Sequence, residues 1–233
     1  MTLNRRALLG SLAVAGVAGC LGDGSDDTEA PTADGAVLGP PDETRGDASH
    51  PTYGDSILSF ELPDPHAGEL VTEEDLLEDG PFVLTFIYTS CTGQCGELMG
   101  LLELVQNDAI EEGWIDDVNL VAMTFDPEVD GPDTLRAYGE MHGLDVDDSH
   151  FRFLRPESPD EAIEIVSDHF GVPAEHHDGE PADDVEPDDL GVVHYYMIFL
   201  VNGDGIVERS YPGPILFDRS ANEFVEDVRM VVT

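Results

Sequence analysis

Residues 82–95 read FVLTFIYTSCTGQC, an apolar run that ends in two cysteines. The part from Phe82 to Tyr88 is almost continuously apolar and rich in β-branched and aromatic residues, which is typical of a central strand buried on both faces. After Cys95, apolar residues recur at positions 98, 101, 102 and 105, which is the spacing of one helix face. The sequence therefore predicts a strand, a short loop that carries Cys91 and Cys95, and then a helix.

Strand and helix patterns alternate through the rest of the chain. Their order, with the cysteine pair after the first central strand, predicts an α/β thioredoxin-like fold, in which a central sheet is flanked by helices. Residues 173–190 are acidic and rich in proline, and they predict an insertion before the last hairpin. The remaining predicted strands are Val118–Phe125, Phe151–Leu154, Val192–Val201 and Ile206–Tyr211, and the predicted helices are one that starts after Thr72, Thr134–His142, Glu161–Phe170 and Asn222–Val231.

The charge of the chain is extreme. It has 51 acidic residues against 9 basic ones, all of them arginine, for a formal net charge of −42. Since strongly apolar runs persist, this is not the composition of a disordered chain. It favours an acidic, solvated coat of the kind that folds in molar salt, where the Debye length is only about 3 Å. An acidic surface for a cationic partner is the alternative, whereas nucleic acid is excluded because nothing supplies a basic patch.

The first twenty residues have the features of an export signal that ends in a lipidation site. Arg5 and Arg6 precede an apolar run of 12 residues, Ala7 to Ala18, which is too short to span a bilayer. The arginine pair predicts the twin-arginine export route. Residues 17–20 (VAGC) resemble a lipobox, which predicts cleavage before Cys20 and lipidation of its sulfur. A secreted protein in which Cys20 is incidental is the alternative.

These patterns divide the chain into three parts. Residues 1–20 are the predicted twin-arginine lipoprotein signal, which ends at Cys20. Residues 21–50 are rich in Gly, Asp, Pro and Thr, and they predict a flexible acidic tether. Residues 51–233 form the predicted thioredoxin-like domain. The expected location is the extracytoplasmic face of the cell membrane, where a lipid anchor holds the protein.

The two cysteines of the loop support three kinds of chemistry. Cysteines at positions i and i+4, at the start of a helix, can bring both sulfurs to one side, and the helix N-terminus lowers the pKa of a thiol. A structural disulfide, a redox-exchanging pair and a metal site are all open. Zinc is disfavoured because a closed site needs four ligands. Two thiolates and one imidazole suit Cu(I), and the imidazole also allows Cu(II).

Among eight histidines, His194 is the candidate third ligand. It begins an apolar predicted strand, whose end lies beside the cysteine loop in a thioredoxin-like sheet. A histidine held in the core is the alternative interpretation. His176 and His177 lie in the acidic insertion and are candidate auxiliary ligands. The other five, which are predicted to be solvated, are His50, His66, His142, His150 and His169.

Three segments, LTFIYTSCTGQCGELM, VAMTFDPEVDGPDTLRAYGEMHG and VVHYYMIFLVNGDGIVERSYPG, resemble the Sco/SenC copper-binding proteins of cytochrome oxidase assembly. The resemblance covers roughly residues 53–233. It implies copper ligation by Cys91, Cys95 and His194, with Asp126 as a hydrogen-bonding or charge partner close to the metal. An aspartate that caps a helix or turn ahead of Pro127 is the alternative interpretation of Asp126. It also implies delivery of copper to, or thiol reduction at, the binuclear copper centre of cytochrome oxidase subunit II.

Three functions follow as hypotheses. The first is a copper-binding assembly factor that moves metal by ligand exchange without enzymatic turnover. The second is a thiol–disulfide oxidoreductase that keeps the cysteines of the oxidase subunit reduced. The third is a peroxiredoxin-like peroxidase, which the cysteine loop supports least. The chain departs from the family at Thr92 and Gly96, where proline is usual, and this difference predicts a less rigid loop.

Overall fold

The computed structural model of the chain describes residues 32–41, 48–176, 192–194, 196–213 and 220–232. Residues 175, 176 and 192–194 are described by their backbone alone. Nine strands lie in this part of the chain. They are β1 (Glu61–Asp64), β2 (Glu69–Thr72), β3 (Phe82–Ile87), β4 (Asn119–Thr124), β5 (Phe151–Leu154), β6 (Ala174–His176), β7 (Val192–His194), β8 (Met197–Val201) and β9 (Val207–Pro212).

Five of these strands form the central sheet, in the order β5-β4-β3-β8-β9. Strands β3, β4 and β5 are parallel, whereas β8 and β9 run antiparallel to their neighbours. Every residue of β3, β4 and β8 is buried, which explains why these strands are apolar throughout rather than alternating. Two small hairpins, β1–β2 and β6–β7, lie outside this sheet.

Five α-helices complete the described fold, and the predicted α/β arrangement is confirmed. The first helix starts where the sequence predicts, because the Thr72 hydroxyl accepts the amide hydrogen of Asp75 while the Asp75 carboxylate accepts that of Thr72. None of the described helices is long and apolar enough to cross a membrane. The helices are α1 (Glu73–Asp79), α2 (Cys95–Glu112), α3 (Pro132–Met141), α4 (Pro159–Ile163) and α5 (Ala221–Val232).

The predicted single strand Val192–Val201 is wrong, because two strands with different partners occupy it. Strand β8 pairs with β3 and β9 in the central sheet, whereas β7 pairs with β6. The physical reason lies at Met197, whose carbonyl oxygen accepts a hydrogen bond from the Thr85 hydroxyl at 2.8 Å. This side-chain bond satisfies the carbonyl at the point where the ladder with β3 stops, while the pairing on the β9 side continues to Tyr196.

The predicted helix Glu161–Phe170 is also divided. Helix α4 begins earlier, at Pro159, because the Ser158 hydroxyl accepts the amide hydrogen of Glu161 and proline suits the first helical position. A wider, π-helical turn, Glu164–His169, follows it. The segment ends at Phe170, whose buried ring lies 5.3 Å from that of Phe86 between ring centroids.

A part of the predicted tether contacts the domain. Residues 33–38 lie against β9, where the buried Glu208 carboxylate accepts the backbone amide hydrogens of Val37 and Leu38 at 2.6 and 2.9 Å. The Asn202 side-chain amide also donates to Glu208, at 2.6 Å, and to the carbonyl of Gly35. Tyr53 adds a hydroxyl that accepts from Ala33 and donates to Leu38.

Candidate metal centre

The cysteines lie where the end of the central strand meets a helix. Strand β3 ends at Ile87, the backbone amide of Cys91 donates to the carbonyl of Tyr88 at 3.2 Å, and Cys95 is the first residue of α2. Cys91 is half-buried, Cys95 is fully buried, and both side chains are thiols rather than halves of a disulfide. The predicted unit of strand, loop and helix is therefore confirmed, with Cys91 as the more accessible sulfur.

The two thiols contact each other. The hydrogen bond between them is the largest cause that raises the pKa of the Cys95 thiol far above its ordinary value, and burial is the second. A backbone hydrogen bond from Tyr88 opposes this shift only in part. At Cys95 the lowering of the thiol pKa expected from the helix N-terminus is outweighed, first by the hydrogen bond with Cys91 and then by desolvation, which disfavours a buried thiolate. A metal ion that binds here must displace a proton, and it supplies the positive charge that the thiolates lack.

Three tyrosines surround the thiols. Tyr88 and Tyr138 are buried and Tyr196 is half-buried. Burial is the largest cause that raises the pKa of all three hydroxyls, and the neighbouring Cys91 and Cys95 raise each of them further. These groups therefore face the cysteine loop as neutral phenols, which can donate a hydrogen bond to a sulfur.

Tyr196 reaches directly over the loop. Its hydroxyl oxygen accepts the backbone amide hydrogen of Gln94 at 3.3 Å and lies 4.0 Å from the sulfur of Cys91. A Cβ atom on Gly93 would lie 2.6 Å from the same oxygen, so the loop and the hydroxyl are in close contact. The sequence prediction did not single out Tyr196, because its position in an apolar run gave no sign of a contact with residues a hundred positions earlier.

His142 also lies beside the loop, where it is half-buried rather than fully solvated. Its ring packs edge-on against Tyr138 at 4.6 Å between centroids, and a Cβ on Gly96 would lie 3.0 Å from its Cε1 atom. Burial lowers the pKa of His142. The ring therefore covers Gly96, one of the two positions where the expected proline is missing. Helix α3 ends at Met141, and His142, which follows it, lies against the first turn of α2.

Asp130 is a buried carboxylate that the sequence interpretation passed over in favour of Asp126. Its oxygens accept the backbone amide hydrogen and the hydroxyl of Thr89 and the hydroxyl of Thr124. Asp130 thereby connects Thr124, at the end of β4, with Thr89, which follows β3 and lies two residues before Cys91. Asp126 is half-buried and begins the turn that leads to Asp130, whose amide donates to the Asp126 carbonyl at 2.9 Å. The Asp-Pro-x-x-Asp-x-Pro pattern of residues 126–132 was the available signal.

Several predicted site residues are only partly described. The backbone of His194 lies in β7 opposite Ala174, and that of His176 lies in β6 opposite Val192, but their side chains fall outside the described atoms. His177 and Cys20 lie outside the described residues. Among the residues with described side chains, no three histidine, cysteine or acidic groups form a metal-binding cluster. The described part of the centre is thus the dithiol, whose soft donors fit copper.

A parallel β3–β4–β5 unit joined to an antiparallel hairpin, with a dithiol between the central strand and its helix, defines a thioredoxin-like protein. The SCO1/SenC family model matches residues 51–233. The chain therefore belongs to the SCO1/SenC family, as the sequence resemblance indicated. A search of curated proteins gives no match to this chain.

Solved structures of Sco proteins share this fold. A SCO1/SenC family lipoprotein from Bacillus anthracis is 21% identical, with a TM-score of 0.60 over 76% of this chain and 95% of that one. BsSco, described through its disulfide switch and as a member of a family of cytochrome c oxidase assembly proteins, is 22% identical, with a TM-score of 0.57 over 81% and 98%. Bradyrhizobium japonicum ScoI, solved with copper bound, is 25% identical, with a TM-score of 0.53 over 76% and 99%.

Proposed function

We propose that this chain binds copper through Cys91, Cys95 and His194 and delivers it to the binuclear copper centre of cytochrome oxidase subunit II. The observation that carries the proposal is the pair of reduced, hydrogen-bonded thiols at the start of α2. Two sulfurs at one place are a soft donor set for Cu(I), and a third ligand from an imidazole completes a trigonal site that also accepts Cu(II). Sco proteins of the same fold have been solved with copper bound, which supports this choice of metal.

The proposed transfer is a ligand exchange. Cys91 is the more exposed sulfur and is the first to meet an incoming donor, whereas Cys95 is buried and retains the metal longest. Asp126 acts in this proposal as a nearby charge partner of the site. No covalent substrate chemistry is needed, so the protein acts as a metal carrier rather than as an enzyme.

The test is a copper titration of the reduced full chain at high salt. We expect one equivalent to bind, with a thiolate-to-Cu(II) charge-transfer band that disappears in Cys91→Ser, Cys95→Ser and His194→Ala. His66→Ala is the matched control, because that imidazole packs on Phe153 rather than on the cysteine loop. Absence of stoichiometric binding in the reduced protein would refute the copper proposal. Dithiol exchange that persists without copper binding would point to a redox role instead.

We also propose that the protein is exported by the twin-arginine route and held at the extracytoplasmic face of the cell membrane by a lipid on Cys20. The sequence of residues 1–20 supports this location. Cys20→Ser should move the protein from the membrane fraction to the soluble fraction, while Cys91→Ser, which removes a different thiol, should leave the partitioning unchanged. Equal membrane partitioning of Cys20→Ser and the unaltered chain would contradict lipidation.

A further inference from the structure

Loop 91–95 is fixed from two sides. On one side, the backbone of the loop is continuous with β3 and α2, since Cys91 donates to the Tyr88 carbonyl and Leu98 donates to that of Gln94. On the other side, the middle of the loop contacts Tyr196, the residue that precedes β8. The Tyr196 hydroxyl therefore joins the loop to a different part of the sheet.

The backbone around Tyr196 is itself held in place. Its carbonyl oxygen accepts the amide hydrogen of Gly213 at 2.8 Å, which extends the pairing of β8 with β9. The next carbonyl, that of Met197, accepts from Thr85 on β3. The tyrosine ring packs against the core. The position of the hydroxyl is thus set by the sheet and not by the loop that it contacts.

Gly93 shows how closely the loop approaches this hydroxyl. A Cβ at this position would lie 2.6 Å from the Tyr196 oxygen and 3.6 Å from the Cys91 sulfur, while the next tyrosine atom is 3.7 Å away. Gly93 does not adopt a left-handed backbone conformation. Glycine is therefore needed here because Tyr196 leaves no room for a side chain, and not because of the backbone angles.

We propose that Tyr196 is a positioning residue that fixes the Cys91–Cys95 loop and orients the Cys91 sulfur for copper. The hydroxyl oxygen accepts from Gln94 and lies 4.0 Å from the Cys91 sulfur, so the hydroxyl can donate its proton to that sulfur. A thiolate has no proton to donate, so the phenol is the donor between these two groups once Cys91 holds a metal. The role in metal binding depends on the proposed copper function, but the role in loop geometry does not.

The first test is Tyr196→Phe, which keeps the ring and removes the hydroxyl. In the metal-free protein we expect the Gln94 amide to exchange with solvent about fivefold faster, as suits the loss of one ordinary hydrogen bond. In the copper-loaded protein we expect about fivefold weaker Cu(I) binding by chelator competition and a shifted thiolate-to-Cu(II) band. Tyr53→Phe is the matched control, because it also loses a hydroxyl with two hydrogen bonds but lies at the segment 33–38 contact.

The second test is a double-mutant cycle with Gly93. Gly93→Ala alone should lower the urea midpoint of unfolding and weaken copper binding, because its methyl group meets the Tyr196 hydroxyl. Adding Tyr196→Phe removes the obstructing oxygen and should restore most of the lost midpoint. A merely destabilising effect at both positions would instead add up, and additive losses would overturn the proposal.

The outcomes separate this proposal from the copper function. If the chain binds no copper but Gln94 exchange rises in Tyr196→Phe, the loop role stands and the copper function fails. If copper binds and Tyr196→Phe changes neither Gln94 exchange nor the charge-transfer band, the positioning role fails and the copper function stands. Should Gly93→Ala fail to fold, folding of the double variant supports the proposal, and failure of both leaves the exchange measurement on Tyr196→Phe to decide.

Discussion

At the scale of single residues, Asp130 and Cys95 show how burial sets the chemistry of the centre. Burial raises the pKa of the Asp130 carboxyl group, while hydrogen bonds from Thr124 and Thr89 act in the opposite direction. Its charge in turn raises the pKa of Cys95. The metal-free centre therefore holds its protons, and a cation is the natural counter-charge that releases them.

The raised pKa of Asp130 predicts a pH dependence of stability. A carboxyl group whose pKa is raised on folding contributes stability that is fully present below its ordinary pKa, near 4, and is lost as the pH rises through its folded pKa. Asp130→Asn has no such titration. The free energy of unfolding of the unaltered chain, relative to that of Asp130→Asn, should therefore fall as the pH rises above about 4.

Urea unfolding of both proteins at constant high salt over this pH range measures that difference. Asp133→Asn, an exposed change nearby in the first turn of α3, is the control for a general effect of one charge. A difference that grows with pH would mean that the three donors around Asp130 hold its charged form more firmly than burial disfavours it.

At the scale of elements, the sequence predicted what local pattern determines and missed what depends on distant partners. The apolar run of β3 was sufficient to predict the central strand. Thr72, followed by acidic residues, was sufficient to predict the start of α1. Strands β7 and β8 were predicted as one apolar strand. Strand β8 pairs with β3 whereas β7 pairs with β6, and nothing in the local sequence marks this change of partner. His142 was predicted to be solvated for the same reason, since its partial burial involves Gly96, which lies far from it in the sequence.

The contact between β9 and residues 33–38 depends on Glu208. Nothing in the sequence of β9, VERSYP, indicates that this glutamate is buried. Its carboxylate accepts three N–H donors in a site that water does not reach. Glu208→Gln replaces one acceptor oxygen with a donor and should destabilise the protein by about 1–3 kcal/mol. Urea unfolding measures this loss, and faster hydrogen exchange of Val37 and Leu38 locates it.

Glu61→Gln is the matched control for this change, because Glu61 is exposed at the start of β1. We expect that variant to unfold within about 0.5 kcal/mol of the unaltered chain. Equal stability of Glu208→Gln and Glu61→Gln, with unchanged exchange at Val37 and Leu38, would contradict the role of the buried carboxylate in holding this segment.

At the scale of the whole molecule, the net charge of −42 dominates. Described ion pairs such as Arg136–Asp147 and Arg152–Glu69 involve few of the acidic side chains, because the chain has only nine arginines to offer. Exposed pairs of this kind contribute about 0–1 kcal/mol each. Screening by salt, rather than pairing, must therefore offset most of the repulsion among the acidic groups.

This charge predicts a strong dependence of stability on salt. The urea midpoint should rise steadily from millimolar to molar KCl, and far-UV circular dichroism should show loss of structure at the lowest salt. Sucrose at equal osmolality is the control, since it favours compact states without screening charge. A circular dichroism spectrum that is unchanged on dilution to millimolar salt would contradict the prediction of a salt-adapted fold.

The central claim concerns the metal and its ligands, and X-ray absorption at the copper edge tests it most directly. In the reduced full chain loaded with one equivalent of Cu(I), we predict two sulfur ligands and one nitrogen ligand. Cys95→Ser should leave one sulfur, and His194→Ala should remove the nitrogen while both sulfurs remain. A copper shell without sulfur, or one that is the same in all three proteins, would contradict the assignment of Cys91, Cys95 and His194.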